Sequence, residues 1–298
     1  MKVSICIPAY KHPHFLKRCL DSVLEQDFSD YEIVITDDSP DNTLQKLVSA
    51  TYNDDRIRYY KNEKPLGSPR NWNEAIRKAQ GEYIKILHHD DWLASPQSLK
   101  KYVAMFDNNP DVNIAFSGCC DVKENGDKKI HTASSSFLKK LGKEPETVYR
   151  GNQLGAPSVC VFRNRRNYLF NPHLIWLVDT DFYIRVIAEN GKFIYSPELL
   201  VNIGISEHQI TQSDLASYNI RLKERMLLFN QYNLKDKSHK YRRSLLRLLG
   251  RGKIFNNVRL KEEMPDSDFH LSLSDIFWIY FYYVKRNIGL LCKHEIKN

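Results

Sequence analysis

The sequence contains no long apolar run. Nothing in its 298 residues approaches the ~20 consecutive apolar residues of a spanning helix, so the chain is not expected to cross a membrane. The six cysteines (Cys6, Cys19, Cys119, Cys120, Cys160 and Cys292) lack any Cys-x-x-Cys spacing and complete no zinc pattern with the ten histidines. That usage fits a reducing cytosol. The apolar run Val3 to Ile7, ahead of Pro8, is too short for a signal peptide and suits a first strand. What is present in quantity is apolar content, 42%, enough for one large α/β core and a smaller appendage, which excludes a disordered protein.

Charge is unevenly spread. The net charge is +8, yet residues 221–298 carry +9 and residues 1–220 carry −1. A basic tail of this kind marks contact with something acidic, either nucleic acid or an anionic membrane surface. Steep salt dependence of nucleic-acid affinity would support the first, and binding to anionic vesicles the second.

Strand and helix patterns alternate through residues 1–110 with short breaks, as βαβ units of a parallel sheet do. Strands are expected at Val3 to Ile7, Tyr31 to Thr36, Ile57 to Tyr60 and Tyr83 to Leu87. Phe15, Leu16, Cys19, Leu20, Val23 and Leu24 share one helical face, with Lys17, Arg18 and Asp21 on the polar face. Further helices are expected over Thr43 to Ala50 and Pro69 to Ala79, the latter capped by Gly81. Ser95-Pro96 reads as a cap with proline at the first helical position, opening a helix that ends near Asn109-Pro110. Val112 to Ser117 and Pro157 to Phe162 read as strands, and Glu124-Asn125-Gly126-Asp127 as a hairpin turn with positive φ at both central residues. Residues 132–152 show little periodicity and read as loop with room for one helical turn. A helix capped by Asp179 or Thr180 then buries Phe182, Val186 and Ile187.

Beyond residue 212 the chain reads as basic amphipathic helices. Leu222, Met226 and Leu227 mark one, and Tyr241 to Leu249 another with Arg242, Arg243 and Arg247 on its polar side. Ile276 to Val284 is nine apolar or aromatic residues closed by Lys285-Arg286, the pattern of an interfacial membrane helix or of one packed on protein or across a dimer.

Carboxylates recur where strands end or helices begin. Asp37-Asp38 follows the second strand, Asp90-Asp91 the fourth, and Asp179 and Asp181 open a helix. In a parallel sheet the first two pairs share one edge, where ligands of open α/β sheets collect. Each place also has a structural reading: a turn, a cap, or favourable charge at a helix N-terminus.

The ordered set Val3-Ser4-Ile5-Cys6-Ile7-Pro8-Ala9-Tyr10, Asp37-Asp38-Ser39 with Asp41 and Thr43, Arg70-Asn71, Gly81-Glu82-Tyr83-Ile84, Asp90-Asp91, and Asp179 ahead of Phe182 and Arg185 resembles family 2 inverting glycosyltransferases. The resemblance spans roughly residues 1–212. It implies the A-type glycosyltransferase fold: a Rossmann-like α/β domain with a mainly parallel central sheet, here with a C-terminal helical extension. It further implies a nucleotide-sugar donor, with a UDP-sugar favoured, a divalent metal (Mn2+ or Mg2+), and a saccharide acceptor. Position by position, Pro8, Ala9 and Tyr10 resemble the loop beside the base, and Asp38 the acid that reads it. Arg70 falls where an arginine often lies near the nucleotide. Asp90 resembles the ribose-side member of the metal motif, Asp91 the metal ligand, and His208 a histidine that reaches the metal or diphosphate. Asp179 matches the base that deprotonates the acceptor, with Asp181 as rival, and Trp176 either stacks on the acceptor or packs beside the helix start.

The sequence departs from the family at His88, where many members carry a further acid two positions before the first aspartate of the pair. No Gln-x-x-Arg-Trp signature of processive synthases is present, so single addition is expected. The implied layout is a catalytic region over 1–212, with a nucleotide-binding half at 1–110 and an acceptor-binding half at 111–212. Residues 213–298 then form a basic helical region for membrane or dimer contact. A cytoplasmic protein, peripheral on the inner face of the membrane and acting on a lipid-linked saccharide without nucleic acid as partner, fits these features. Two alternatives compete: a sugar-phosphate nucleotidyltransferase, which Ile7-Pro8-Ala9-Tyr10-Lys11 disfavours because it has no glycine to form a phosphate loop, and an inactive scaffold, against which Asp38, Asp91 and Asp179 stand.

Overall fold

Seven consecutive buried residues, Val3–Ala9, form β1, the strand around which the first part of the molecule is laid down. A strand buried on both faces needs cover on both, which places it inside a parallel sheet. In the computed structural model, which describes residues 1–107, 109–206, 217–265 and 267–295, this is its position. With β2 (Tyr31–Asp37), β3 (Ile57–Lys61) and β4 (Tyr83–Ile86) it makes a parallel set in the order β3-β2-β1-β4. The crossovers are α1 (Pro13–Leu24), α2 (Thr43–Thr51) and α3 (Arg70–Lys78).

The remaining strands are β5 (Trp92–Leu93), β6 (Ile114–Lys123), β7 (Lys128–His131), β8 (Cys160–Arg163) and β9 (Ile194–Ile205). They extend the sheet as β4-β8-β6-β9-β5, with β7 hairpinned onto β6. β8 runs antiparallel to both β4 and β6, while β9 is parallel to β6. The helices here are α4 (Ser98–Asp107), α5 (Ser135–Leu141), α6 (Thr147–Arg150) and α7 (Val178–Ala188), with a 3-10 turn at Pro157–Val159. The expected α/β architecture is what the chain forms, but parallel pairing is confined to the β3-β2-β1-β4 set and the β6–β9 pair, so the sheet is mixed rather than mainly parallel.

Several local expectations are corrected. Gly81 does not cap α3, whose cap is Ala79; it lies against β1, where a Cβ would meet Ser4 N at 2.6 Å and Val3 C at 2.7 Å. Pro96 sits in a turn ahead of α4 rather than at its first position. In the β6–β7 hairpin only Gly126 has positive φ, 87°, while Lys123 O accepts from Gly126 N. That is a type I turn followed by a left-handed glycine. Residues 132–152 hold two helices, whose buried Phe137, Leu141, Val148 and Tyr149 are spread over elements too short to show a period. Pro157–Val159 is helical, so the strand begins only at Cys160. α7 starts at Val178 after Leu177, which puts Asp179 and Asp181 inside its first turn. β9 escaped notice because Pro197 lies within it, beside the register shift at Gly118, and prolines in strands collect at such irregularities.

Chain contacts divide the molecule into two compact units, Met1–Gln209 and Ile210–Asn298. The second comprises α8 (Tyr218–Gln231), α9 (Leu234–Lys237), α10 (His239–Arg251), α11 (Asn257–Glu263) and α12 (Leu273–Glu295). Leu222, Met226, Leu228 and Phe229 are buried in α8, whereas Leu227 is exposed, contrary to expectation. α10 packs on α12 through Gly250, whose missing Cβ would sit 2.9 Å from Ile279 O. Arg242 grips Asp275 at 2.7 and 2.6 Å, and this pairing outweighs burial and holds the Asp275 carboxyl at about 2. Arg243 and Arg247 lie over the rings of Trp278 and Tyr282 at 4.5 and 4.9 Å, so they cover α12 aromatics rather than only lining a polar side. The other face of α12 exposes Leu273, Phe277, Tyr280, Phe281, Val284 and Ile288. Among the described residues no helix is long and apolar enough to cross a membrane.

Candidate active site

β4 runs out at Ile86 into the turn Leu87-His88-His89-Asp90-Asp91, closed by Asp91 N donating to His88 O at 2.9 Å. Three groups hold this turn. Arg18 Nη2 donates to Asp90 O at 2.7 Å while its guanidinium stacks 3.7 Å over Trp92, so Arg18 faces inward rather than lying on the solvent face of α1. Gly204 N donates to Asp91 Oδ1 at 3.0 Å, and a Cβ at Gly204 would overlap the Asp90 carbonyl. Ser158 Oγ accepts from His88 N at 3.0 Å and also bonds the Asp91 side chain.

The result is a cluster in which donor atoms of His88, Asp90 and Asp91 all lie within 4.8 Å of one another. Burial, reinforced by the charge of Asp90, pushes the Asp91 carboxyl well above its ordinary range. Burial likewise pushes the His88 ring down, which keeps it neutral. Two carboxylates and a neutral imidazole are a donor set that fits a divalent cation, and a bound cation would relieve the repulsion between the acids. Behind the turn, the fully buried Lys85 donates to the carbonyls of Ser158 and Cys160, and burial lowers its ammonium to about 8.

Asp179 is fixed from another direction. Asn152 Nδ2 donates to its Oδ2 at 2.6 Å and Thr180 N to its Oδ1 at 2.6 Å. Burial raises its carboxyl above the ordinary range, against the lowering effect of those hydrogen bonds. Asp181 turns the other way. Its carboxylate has no exposed surface and pairs with Arg185 Nε at 2.9 Å, so it anchors α7 instead of facing an acceptor. Trp176 is half-exposed in the bend just before α7. One segment therefore spans both sites: Asn152 holds Asp179, and Ser158, six residues on, holds the acidic turn.

At the ends of β1 and β2, Pro8 and Ala9 are buried and Tyr10 is exposed with Lys11 Nζ 4.9 Å from its ring centre. The Asp37-Asp38 pair is engaged internally. Asp37 accepts from Ser39 N at 2.7 Å, Tyr59 Oη at 2.5 Å and Lys61 Nζ at 3.1 Å. Asp38 accepts from Asn62 Nδ2 at 2.6 Å, Leu66 N at 3.0 Å and Gly67 N at 2.7 Å, which ties down the loop 62–67. Arg70 is exposed at the start of α3, and His208 lies outside the described residues. Arg18, Lys85, Ser158 and Gly204 were not singled out from the sequence, while Asn152 falls in the region Gly151 to Pro157, where loop contacts to the acceptor are expected. Only Gly204 carried a signal, as a glycine within an apolar run.

Comparison with known proteins gives this geometry a family. The profile of Glycosyl transferase family 2 matches residues 4–169. An uncharacterized glycosyltransferase of Methanocaldococcus jannaschii is 32% identical over 242 residues, 78% of each chain. The UDP-Glc:alpha-D-GlcNAc-diphosphoundecaprenol beta-1,3-glucosyltransferase of Escherichia coli is 34% identical over 116 residues, 38% of this chain and 43% of that one. S. aureus TarS 1-349 in complex with UDP-GlcNAc matches with a TM-score of 0.60 at 18% identity, over 97% of this chain and 92% of that one. The mannosyltransferase PcManGT of Pyrobaculum calidifontis, in complex with GDP-Man and Mn2+, matches with a TM-score of 0.55 at 14% identity, over 95% and 87%. The fold is the A-type glycosyltransferase fold with added C-terminal helices. The chain belongs to glycosyltransferase family 2 and is a glycosyltransferase.

The two aspartates of α7 are expected to separate in stability. Asp181→Ala strands Arg185 and removes a buried partner, for a loss of about 2–4 kcal/mol in urea denaturation. Asp179→Asn removes a charge that burial disfavours but also one hydrogen bond, so the change is expected to stay within about 1 kcal/mol. Equal losses at both positions would show that Asp179 is a structural anchor as well.

Proposed function

We propose that this glycosyltransferase moves a sugar from a nucleotide-sugar donor, a UDP-sugar in preference, to a hydroxyl of a lipid-linked saccharide, inverting the anomeric centre, in surface polysaccharide synthesis. The observation that carries the reading is the Asn152–Ser158 segment, which ties a raised-pKa carboxylate to a cation-suited acidic turn. The UDP-Glc donor and diphosphoundecaprenol-linked acceptor in the name of the E. coli relative support the donor and acceptor classes. Residues 1–110 would form the nucleotide half, with Pro8, Ala9, Tyr10, Asp38 and Arg70 at the base and nucleotide side. Residues 111–212 would form the acceptor half, with Trp176 flanking the sugar.

In the mechanism, Asp179 takes a proton from the acceptor hydroxyl as it attacks the anomeric carbon from the face opposite the departing nucleoside diphosphate. A raised pKa makes Asp179 a stronger base than an exposed aspartate. Asp90, Asp91 and His88 would hold a divalent cation, Mn2+ or Mg2+, whose charge stabilises the leaving diphosphate when bound. Arg18, Ser158 and Gly204 keep the turn in place.

Three outcomes test this. First, nucleoside diphosphate release from UDP-, TDP- and GDP-sugars, with a saccharide acceptor, is expected for one donor and lost in Asp179→Asn with donor binding intact. No donor binding at all would return the chain to a scaffold role. Second, Asn152→Ala removes a hydrogen bond that lowers the Asp179 pKa, so the acid limb of its kcat/KM profile is expected to move to higher pH; an unmoved limb removes Asp179 from the base role. Third, the exposed α12 face, with Lys285 and Arg286 beside it, is proposed to rest on an anionic membrane. Co-sedimentation with phosphatidylglycerol vesicles is expected to fall at least tenfold in Phe277→Glu/Phe281→Glu, and binding to nucleic acid alone would favour the other acidic partner.

A further inference from the structure

We infer that the acceptor is a polyanionic saccharide, a chain whose repeats carry carboxylate or phosphate, and that it lies along a basic ridge made by β7, α5 and the end of α6; this deepens the acceptor reading proposed above and rests on it. Residues 128–150 hold Lys128, Lys129, Lys139, Lys140, Lys143 and Arg150 against Glu144 and Glu146, of which Glu146 is buried. All six cations are exposed, and none forms an ion pair among the described residues. This sets them apart within the first unit. Lys17, Lys101, Lys123 and Lys192 are each matched by a carboxylate. Lys11, Lys64 and Arg70, which also lack an acid, stand on the side proposed for the nucleotide, whose phosphates give them a partner. The ridge calls for an anion of its own.

Its position says which anion. His131, at the end of β7, donates from Nε2 to Gln153 O at 3.1 Å. Ser134, the cap of α5, donates from N and Oγ to Gln153 Oε1 at 3.1 and 2.9 Å. Gln153 follows Asn152, which bonds Asp179, and Arg150 comes two residues before Asn152. Three cationic elements thus converge on the proposed base. Leading away from it, Lys129 shares a strand face with His131 at a repeat of about 7 Å. Lys139 and Lys140 are exposed on α5, whose Phe137 and Leu141 are buried.

Cations spread over three elements match charge that repeats along a chain, since one phosphate could not reach them all. A lipid surface needs apolar side chains to bury, and Ile130 is the one large apolar residue that the ridge exposes among the described residues. Single-stranded nucleic acid needs rings to stack on, yet Phe137 and Tyr149 are buried. A charged saccharide needs neither, and flexible lysines suit carboxylate and phosphate alike.

The test is titration of the full chain with three oligosaccharides of equal length: an oligogalacturonate, a phosphodiester-linked oligomannoside and a neutral maltooligosaccharide. It is run on the wild type, Lys128→Gln/Lys129→Gln, Lys139→Gln/Lys140→Gln and, for the same charge removed outside the ridge, Lys100→Gln/Arg166→Gln. Both anionic oligomers are expected to bind at least tenfold tighter than the neutral one, the tighter of the two naming the charged group. Each ridge pair is expected to weaken that binding at least tenfold, and the outside pair less than twofold. Equal affinity for neutral and anionic oligomers, or equal losses in the ridge and outside pairs, overturns the inference. So does tighter binding of phosphatidylglycerol vesicles or of oligo(dT) through the same lysines, which would make a membrane or nucleic acid the partner. A parallel titration with UDP reads the other site: a wild type that does not bind it brings down the donor reading, separately from any result on the ridge.

Discussion

The site depends on keeping two adjacent carboxylates at the end of a buried strand, one of them almost without solvent. Asp91 is only 2% exposed beside Asp90, and such a pair is costly unless hydrogen-bond donors and opposite charge converge on it. The fold supplies them from distant parts of the sequence: an amide from β9, a hydroxyl from the turn before β8, and a guanidinium from α1 on the backbone carbonyl. Close approach of β9 requires glycine at 204. The antiparallel insertion of β8 beside β4 is what brings Ser158 under the turn, and Lys85 fastens that insertion from inside the core by bonding the carbonyls of Ser158 and Cys160.

The acids therefore divide by how their lone pairs are used. Asp37, Asp38 and Asp181 spend their oxygens on the protein, ordering the Ser39 turn, the 62–67 loop and α7. Asp91 and Asp179 also accept hydrogen bonds, from Gly204 N and from Asn152 and Thr180 N, yet burial holds both carboxyls above their ordinary range. This is a difference of wiring, not of residue type. The 62–67 loop takes its shape from Asp38.

Legibility followed the range of the interactions. The parallel nucleus was readable because its strands are apolar throughout and its helices have a clear period, both local properties. The acidic turn and Asp179 were readable because their order along the chain resembles a family. The residues that hold them were not. Arg18 looks like one more charge on an amphipathic helix until Trp92 and the Asp90 carbonyl, more than 70 residues away, give it a reason to turn inward. Asn152 closes a stretch without periodicity and Ser158 sits where a strand is expected, and their partners are 27 and 70 residues distant. Asp181 was misread for the complementary reason: its spacing from Asp179 suggests a rival, but a two-residue step on a helix turns the side chain to another face.

The second unit shows the same logic with basic residues. An excess of arginine beside an aromatic run suggests a solvated face, yet Arg242, Arg243 and Arg247 are occupied by Asp275, Trp278 and Tyr282. Those contacts fix which side of α12 is covered. The rings and aliphatic side chains left outward lie at spacings of three and four along α12, and Lys285 and Arg286 on the same helix are exposed. Only Arg242 is neutralised by an ion pair; Arg243 and Arg247 stay exposed and keep their charge. Were this face to rest on a lipid surface, as proposed, the apolar stripe would supply most of the affinity, and the exposed Arg243, Arg247, Lys285 and Arg286 its dependence on salt.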